Sequence, residues 1–168
     1  MHRKSRLFIQ MLVVLLLATL QGCGFHLRGA ADLPPSISPI YISGVGQHDP
    51  LRKELRQIFA GADVQLTEDP SKASAVLKVS KQKQDRRVLS VDSRGSVVEY
   101  EIHHALEFEL LGADGSQLME HQSVGAQRAY ENNETEILGK NQEESLLRRD
   151  LRFDLIRRVV NRMQEQLQ

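Results

Sequence analysis

The stretch Val97-Val98-Glu99-Tyr100-Glu101-Ile102-His103-His104-Ala105-Leu106-Glu107-Phe108-Glu109-Leu110-Leu111 decides the fold class. Val98, Tyr100, Ile102, His104, Leu106, Phe108 and Leu110 fall on one side of an extended chain. Val97, Glu99, Glu101, His103, Ala105, Glu107 and Glu109 fall on the other. Successive side chains of a strand point to opposite faces, so this is a long strand with one buried and one wet face, as antiparallel sheets allow. Asp114-Gly115 follows as a hairpin signal, and Gln117 to Tyr130 supplies the partner strand. Upstream, Asp92-Ser93-Arg94-Gly95-Ser96 is a turn by composition. Before it, the β-rich run Val76 to Val79 starts a third strand that continues through the polar Lys81 to Arg87 to about Val91.

The flanks of this meander are helical. From Lys140 to Leu167 there is neither Gly nor Pro, and Leu147, Leu151, Leu155, Val159 and Met163 recur every four residues. Leu146, Phe153, Ile156 and Val160 widen that stripe, and arginines line the rest, so this amphipathic helix should lie on the sheet. Earlier, Ile40-Tyr41-Ile42 reads as a short strand. Asp49-Pro50 then opens a helix whose Leu51, Leu55, Ile58 and Phe59 share one face, with Gly61 at its C-terminal end. Val64-Gln65-Leu66 begins or extends a further strand. The order strand, helix, strand, strand, strand, helix predicts an α/β (α+β) two-layer sandwich. Its sheet is four-stranded, mixed and largely antiparallel, with two helices packed on one face.

The N-terminus carries a different signal. Arg3, Lys4 and Arg6 precede an apolar run from Leu7 to Leu20 that is short for a spanning helix, which needs about 20 apolar residues. A basic region, a short apolar region and a small residue before a cut site are the parts of a secretory signal peptide. Leu20-Gln21-Gly22-Cys23 resembles a lipobox, with Gln21 bulkier than the small residue usual there. The thiol is required because the lipid is attached through a thioether. Cys23 is the only cysteine, which excludes an intrachain disulfide. The competing readings of a lone thiol are burial in a core and an anchor helix that is never cut. Lipidation predicts a membrane anchor held by covalent lipid on Cys23, and Gly24 in place of Asp favours the outer membrane over the inner. No other cofactor is expected. Residues 1–22 are thus a removed signal peptide, 23–39 a lipidated N-terminus and Pro-containing tether, and 40–168 a single α/β domain.

The charge argues against nucleic acid. The whole chain has 22 basic and 22 acidic residues, and removing the leader takes three cations with it, leaving a mature charge of −3. An anionic partner would need a local basic patch. No nucleophile elbow, phosphate-cradling glycine loop or cysteine pair is present, so no catalytic residue is assigned and an enzyme is not expected. His103 and His104 are adjacent on a strand and therefore diverge. A two-histidine site using His104 and His121 across the hairpin is the one metal arrangement the sequence offers, against the usual three or four ligands. The glutamates at 99, 101, 107 and 109 read as a solvated strand face.

Directly after the cut site the chain reads Cys23-Gly24-Phe25-His26-Leu27-Arg28-Gly29. This resembles the mature opening of the LptE family of lipopolysaccharide-assembly lipoproteins. The order of elements, the Glu99-Tyr100 start of the central strand and the C-terminal helix extend the likeness. The chain ends with that helix, without the long polar tail that some members carry. The resemblance implies a protein that sits inside the LptD outer-membrane β-barrel as a plug. It further implies assistance to LptD assembly and to lipopolysaccharide delivery. It also implies lipopolysaccharide binding through basic residues matching Arg94 and Lys140, with Arg86 and Arg87 on the preceding strand extending the patch. Arginine and lysine bind phosphate strongly, arginine often bidentately. A generic envelope scaffold or a metal-binding lipoprotein are the alternatives.

Overall fold

The computed structural model describes residues 33–132 and 137–167, with side chains left out at 137–141. Five strands form one sheet: β1 (Ile40–Ser43), β2 (Leu66–Thr67), β3 (Ala75–Val91), β4 (Val97–Gly112) and β5 (Gln117–Glu131). Two helices accompany them, α1 (Pro50–Ala60) and α2 (Ile137–Leu167). The spatial order is β2-β1-β3-β4-β5. β1 runs parallel to both β2 and β3, and β3, β4 and β5 form an antiparallel meander. The fold is the mixed α+β sandwich read from the sequence, with one strand more than expected. That strand, β2, is two residues long, too short to carry an alternation, and Asp69-Pro70 turns the chain into a 3-10 segment directly after it.

Local chemistry sets the elements. Asp49 caps α1 through Oδ1, which accepts the Leu51 N–H at 2.8 Å, and Pro50 occupies the first helical position. Gly61 ends the helix in an ordinary right-handed conformation. The left-handed residue that turns the chain is Asp63, at φ 55°. α2 starts at Ile137, one turn before the expected Lys140, and includes Gly139.

The inward residues of β4 match the alternation from Ile102 onward: Ile102, His104, Leu106, Phe108 and Leu110 are all buried. Leu106, Phe108 and Leu110 pack with Leu51, Leu55 and Phe59 of α1 and Leu155, Ile156, Val159 and Met163 of α2, and Ile102 packs with Leu151 of α2, so both helices cover the same face. Leu146 does not join the helical stripe; it is exposed. Leu33 and Ile37, which the sequence assigns to the tether, are buried members of the core, so the packed domain begins before Ile40.

The opposite face is a ladder of cross-strand ion pairs. Lys78 Nζ donates to Glu109 at 2.8 Å, Lys81 to Glu107 at 3.2 Å, and His121 lies 3.6 Å from Glu107. Glu101 pairs with His103 on its own strand. The four glutamates are therefore partly covered by their neighbours and stand as the solvated face the sequence predicts.

A buried arginine, Arg52, and a half-buried one, Arg152, were not foreseen. Arg52 donates to the carbonyls of Ile42 at 2.7 Å and Val45 at 3.0 Å, fixing α1 to the end of β1. Arg152 grips Glu54 with two hydrogen bonds, Nε to Oε2 at 2.8 Å and Nη2 to Oε1 at 2.9 Å, and so joins α2 to α1. Replacing Arg52 with Met strands two carbonyls among buried atoms. The expected loss is about 2–6 kcal/mol at about 1–3 per unsatisfied group, as a lowered urea midpoint.

Candidate anion-binding surface

β1 pairs only with Ala75 to Lys78 of β3. Beyond that point β3 and β4 continue together, with β5 alongside, as a three-stranded arm that ends at the Asp92–Ser96 turn. Arg94 sits in this turn with 83% of its side chain exposed, and its Nη2 donates to Asp92 Oδ2 at 2.9 Å. The turn itself does not depend on that guanidinium. Asp92 Oδ1 accepts the backbone N–H groups of Arg94 at 2.8 Å and Ser96 at 2.9 Å, and Gly95 supplies the positive φ of 84°. The Ser96 amide first, and then the Arg94 guanidinium, hold the Asp92 carboxyl below its ordinary value. Arg94 can therefore exchange Asp92 for an external anion while the backbone stays in place.

Arg86 and Arg87 point to opposite faces and have different surroundings. Arg87 Nε donates to Asp85 at 2.8 Å on the outer face. Arg86 lies on the helix side, 4.3 Å from the centre of the Tyr100 ring, and donates to Glu144 Oε2 of α2 at 3.0 Å. Tyr130 donates its hydroxyl to the same oxygen at 2.7 Å, and Arg148 Nε donates to Glu144 Oε1 at 2.7 Å. Burial pushes the Glu144 carboxyl up, but the hydrogen bonds from Tyr130 and Arg148 and the two guanidinium charges outweigh it and hold the group below its usual range. Burial also raises Tyr130, and the bond to Glu144 adds to that. Arg86 thus serves a clasp between the arm and α2, which separates it from the exposed Arg94.

Lys140 lies in the first turns of α2, and its side chain is outside the described residues, as is all of Cys23. The early turns of α2 meet the arm, since Glu144 accepts from Arg86 of β3. Asn132, at the end of β5, donates its N–H to Val98 O at 2.6 Å beside the arm's tip, and α2 begins five residues later.

The histidines are set apart. His104 is 1% exposed on the helix side, whereas His121 is exposed on the outer face, so they cannot share a ligand. Among the described residues no group of three or more His, Cys, Asp or Glu is placed to hold a metal. Gln82 Nε2 lies 3.4 Å from His104 Nε2, near enough for the amide to donate to a neutral ring, and Nδ1 is without a hydrogen-bond partner among the described residues. Burial lowers the His104 pKa to about 4, and the charges of Arg152 and Arg148 add to this against Asp49. The unfolded chain takes up this proton near pH 6.5, while the folded chain resists it until about pH 4. Stability from this group is therefore complete above pH 6.5 and falls as pH drops towards 4, by about 3 kcal/mol in all. Lowered carboxyls such as Glu144 and Asp92 act in a separate window, below their ordinary 4.5 and 3.8. Urea unfolding across pH 7 to 4.5 should show this slope, and His104→Leu should flatten it. An unchanged slope in the variant would remove the assignment.

Among the described residues no helix is long and apolar enough to cross a membrane. Comparison with known proteins is consistent across sequence and structure. The LPS-assembly lipoprotein LptE of Photorhabdus laumondii is 28% identical over 142 residues, 84% of this chain and 77% of its own length. That of Pectobacterium atrosepticum is 26% identical over 163 residues, 95% and 86% of the two chains. The solution structure of a lipoprotein B from Nitrosomonas europaea shares the fold at a TM-score of 0.67 and 23% identity, covering 82% of this chain and 88% of that one. A minor lipoprotein from Acinetobacter baumannii does so at 0.64 and 22%, covering 77% and 92%. With residues 37–163 matching the model described as LptE, lipopolysaccharide-assembly, the chain belongs to that family.

Proposed function

We propose that this protein is a non-catalytic component of lipopolysaccharide assembly, anchored to the outer membrane by lipid on Cys23 and facing the periplasm. In this reading it plugs the LptD β-barrel, assists the barrel's assembly, and binds lipopolysaccharide during delivery to the cell surface. The observation that carries the binding role is the exposed Arg94 on a turn held by backbone contacts, at the end of an arm whose Arg86 meets Glu144, in the early turns of α2 that also carry Lys140. A guanidinium and an ammonium there can meet the phosphates of lipid A and the core sugars. The plugging role is supported by two features. A barrel lumen is polar, and the outer sheet face offers a self-paired charge ladder where an apolar face would be mismatched. The 17-residue β3 also extends about 55 Å at about 3.3 Å per residue, enough to run through a bilayer of about 40–45 Å inside a barrel.

Two measurements test this reading. Arg94→Asp combined with Lys140→Asp should lower lipopolysaccharide affinity tenfold or more while the circular dichroism spectrum and unfolding midpoint stay near the parent's. Parent-like binding would remove this patch. Affinity purification of the lipidated protein from outer membranes should bring down a large β-barrel in stoichiometric amount. Recovery of the protein alone would withdraw the plug and leave a scaffold of another envelope complex.

A further inference from the structure

The arm's tip is apolar as well as cationic. Six large hydrophobic residues are exposed among those described, and four of them, Val88, Leu89, Val91 and Val98, lie within the last turns of the β3–β4 hairpin. Their relative exposures run from 42% to 55%. Val88 faces the helix side opposite Tyr100, and Val98 shares that side. Val91 pairs with Val97 on the outer face, and Leu89 sits where the register shifts. The apolar surface therefore wraps both faces of the hairpin directly behind a polar turn. A hairpin tip that only needed solubility would carry charges here, as the same strand does at Lys81, Lys83 and Asp85. Exposed apolar residues gathered in one place mark a contact surface.

The geometry points to an occupant with two chemistries. Val91 directly precedes the Asp92–Ser96 turn that carries Arg94, and Val88 lies three strand residues, about 10 Å at about 3.3 Å per residue, behind Val91, so the collar begins at the base of the turn and runs back along the hairpin. That matches an anionic head group against the turn with hydrocarbon chains running back along the hairpin. We propose that Val88, Leu89, Val91 and Val98 form a contact site for the acyl chains of a phosphate-bearing glycolipid whose head group meets Arg94. This inference rests on the lipopolysaccharide-binding reading above and adds the acyl chains as a second determinant of it. The arm then holds a single amphiphile at both its ends, in place of merely attracting an anion. A bare bilayer and an apolar protein surface are the competing occupants, and the test separates them.

The test uses the full chain in phosphatidylcholine nanodiscs, with empty discs as the reference, and two probes. One is intact lipopolysaccharide and the other is the same material chemically deacylated, keeping sugars and phosphates. The variant carries Val88→Thr, Leu89→Thr, Val91→Thr and Val98→Thr, since threonine keeps the β-branched shape that suits a strand. The parent is expected to bind the intact form at least tenfold more tightly than the deacylated form. The variant should lose that advantage and bind the deacylated form as the parent does, which also reports an intact turn. Equal binding of both probes by the parent overturns the acyl site and leaves the phosphate reading standing. Binding of neither probe overturns both. A variant that binds intact lipopolysaccharide like the parent, or that loses both probes equally, also overturns it. So does equal parent affinity for intact lipopolysaccharide and for phosphatidylglycerol added to the discs, which would make the tip a general bilayer contact.

Discussion

Gly44→Ala should destabilise the protein by about 4 kcal/mol, combining about 1–3 for a non-glycine residue in the left-handed region with about 1–3 for overpacking. Gly44 follows β1 with φ 79°, and a Cβ built there lies 1.9 Å from the carbonyl oxygen of Val79. That oxygen is backbone, so no rotamer change can relieve the overlap. Relief requires β1 to part from β3 where Ser43 pairs with Lys78, and that pairing closes the parallel half of the sheet. Val79 lies at the shift in register between β3 and β4, which already commits the strand there. Two other glycines give the controls. Gly115 has φ 80° with nothing within 4 Å of the added atom, so alanine there should lose only about 1 kcal/mol. Gly46 has open space and no positive φ, so alanine there should be close to neutral. Thermal unfolding of the three variants should rank Gly44 far below Gly115 and Gly115 slightly below Gly46. A Gly44→Ala midpoint equal to that of Gly115→Ala would show that the strands separate easily, and the role of Val79 would be withdrawn.

The meander was legible because its signal is local. Alternation in β4 is a property of consecutive residues, and one buried face imposes it along the strand. The stripe Leu151, Leu155, Val159, Met163 was legible for the same reason at the helical period. What escaped the sequence is pairwise and distant. Nothing at Arg152 distinguishes it from Arg148, Arg149 or Arg158, yet it meets Glu54 across 98 positions, while Arg158 lies exposed. Arg52 follows Leu51 on a helix that otherwise reads as cleanly amphipathic, and its burial depends on carbonyls that only the tertiary fold brings near. Leu33 and Ile37 were read as tether because proline breaks their periodicity, although a buried residue needs only a pocket. The candidate cations divide in the same way. Arg94 entered as a candidate through the family resemblance, whereas composition indicated only the Asp92–Ser96 turn on which its side chain stands exposed. The separation of Arg86 from Arg87 needed both strand parity and the position of Glu144 on a helix about 60 residues later.

Arg152→Met alone is expected to cost about 3–5 kcal/mol, since it leaves a buried carboxylate without its partner. Glu54 has 9% of its side chain exposed and Arg152 has 16%, and two hydrogen bonds align the fork with both carboxylate oxygens. The pair stands between α1 and α2 near His104, whose proton affinity the Arg152 charge depresses. Removing both charges together, as Arg152→Met with Glu54→Leu, should recover most of the loss, because apolar groups of similar volume replace a buried pair with little penalty. Urea midpoints of the two single variants and the double variant form a double-mutant cycle, and a coupling of about 2 kcal/mol or more is expected for residues in direct contact. Simple additivity would mean that each side chain acts through its own packing and that the ion pair is incidental. The functional consequence follows from the position of the pair. Arg152 lies two turns along α2 from Glu144, which clasps Arg86, and three turns from Lys140. A helix loosened at Arg152 should therefore also lose its register against the arm. In the double variant, stability and lipopolysaccharide affinity should return together, as they would if this bridge fixes where α2 presents its first turn. Recovery of stability without affinity would assign Arg152 a role at the ligand itself.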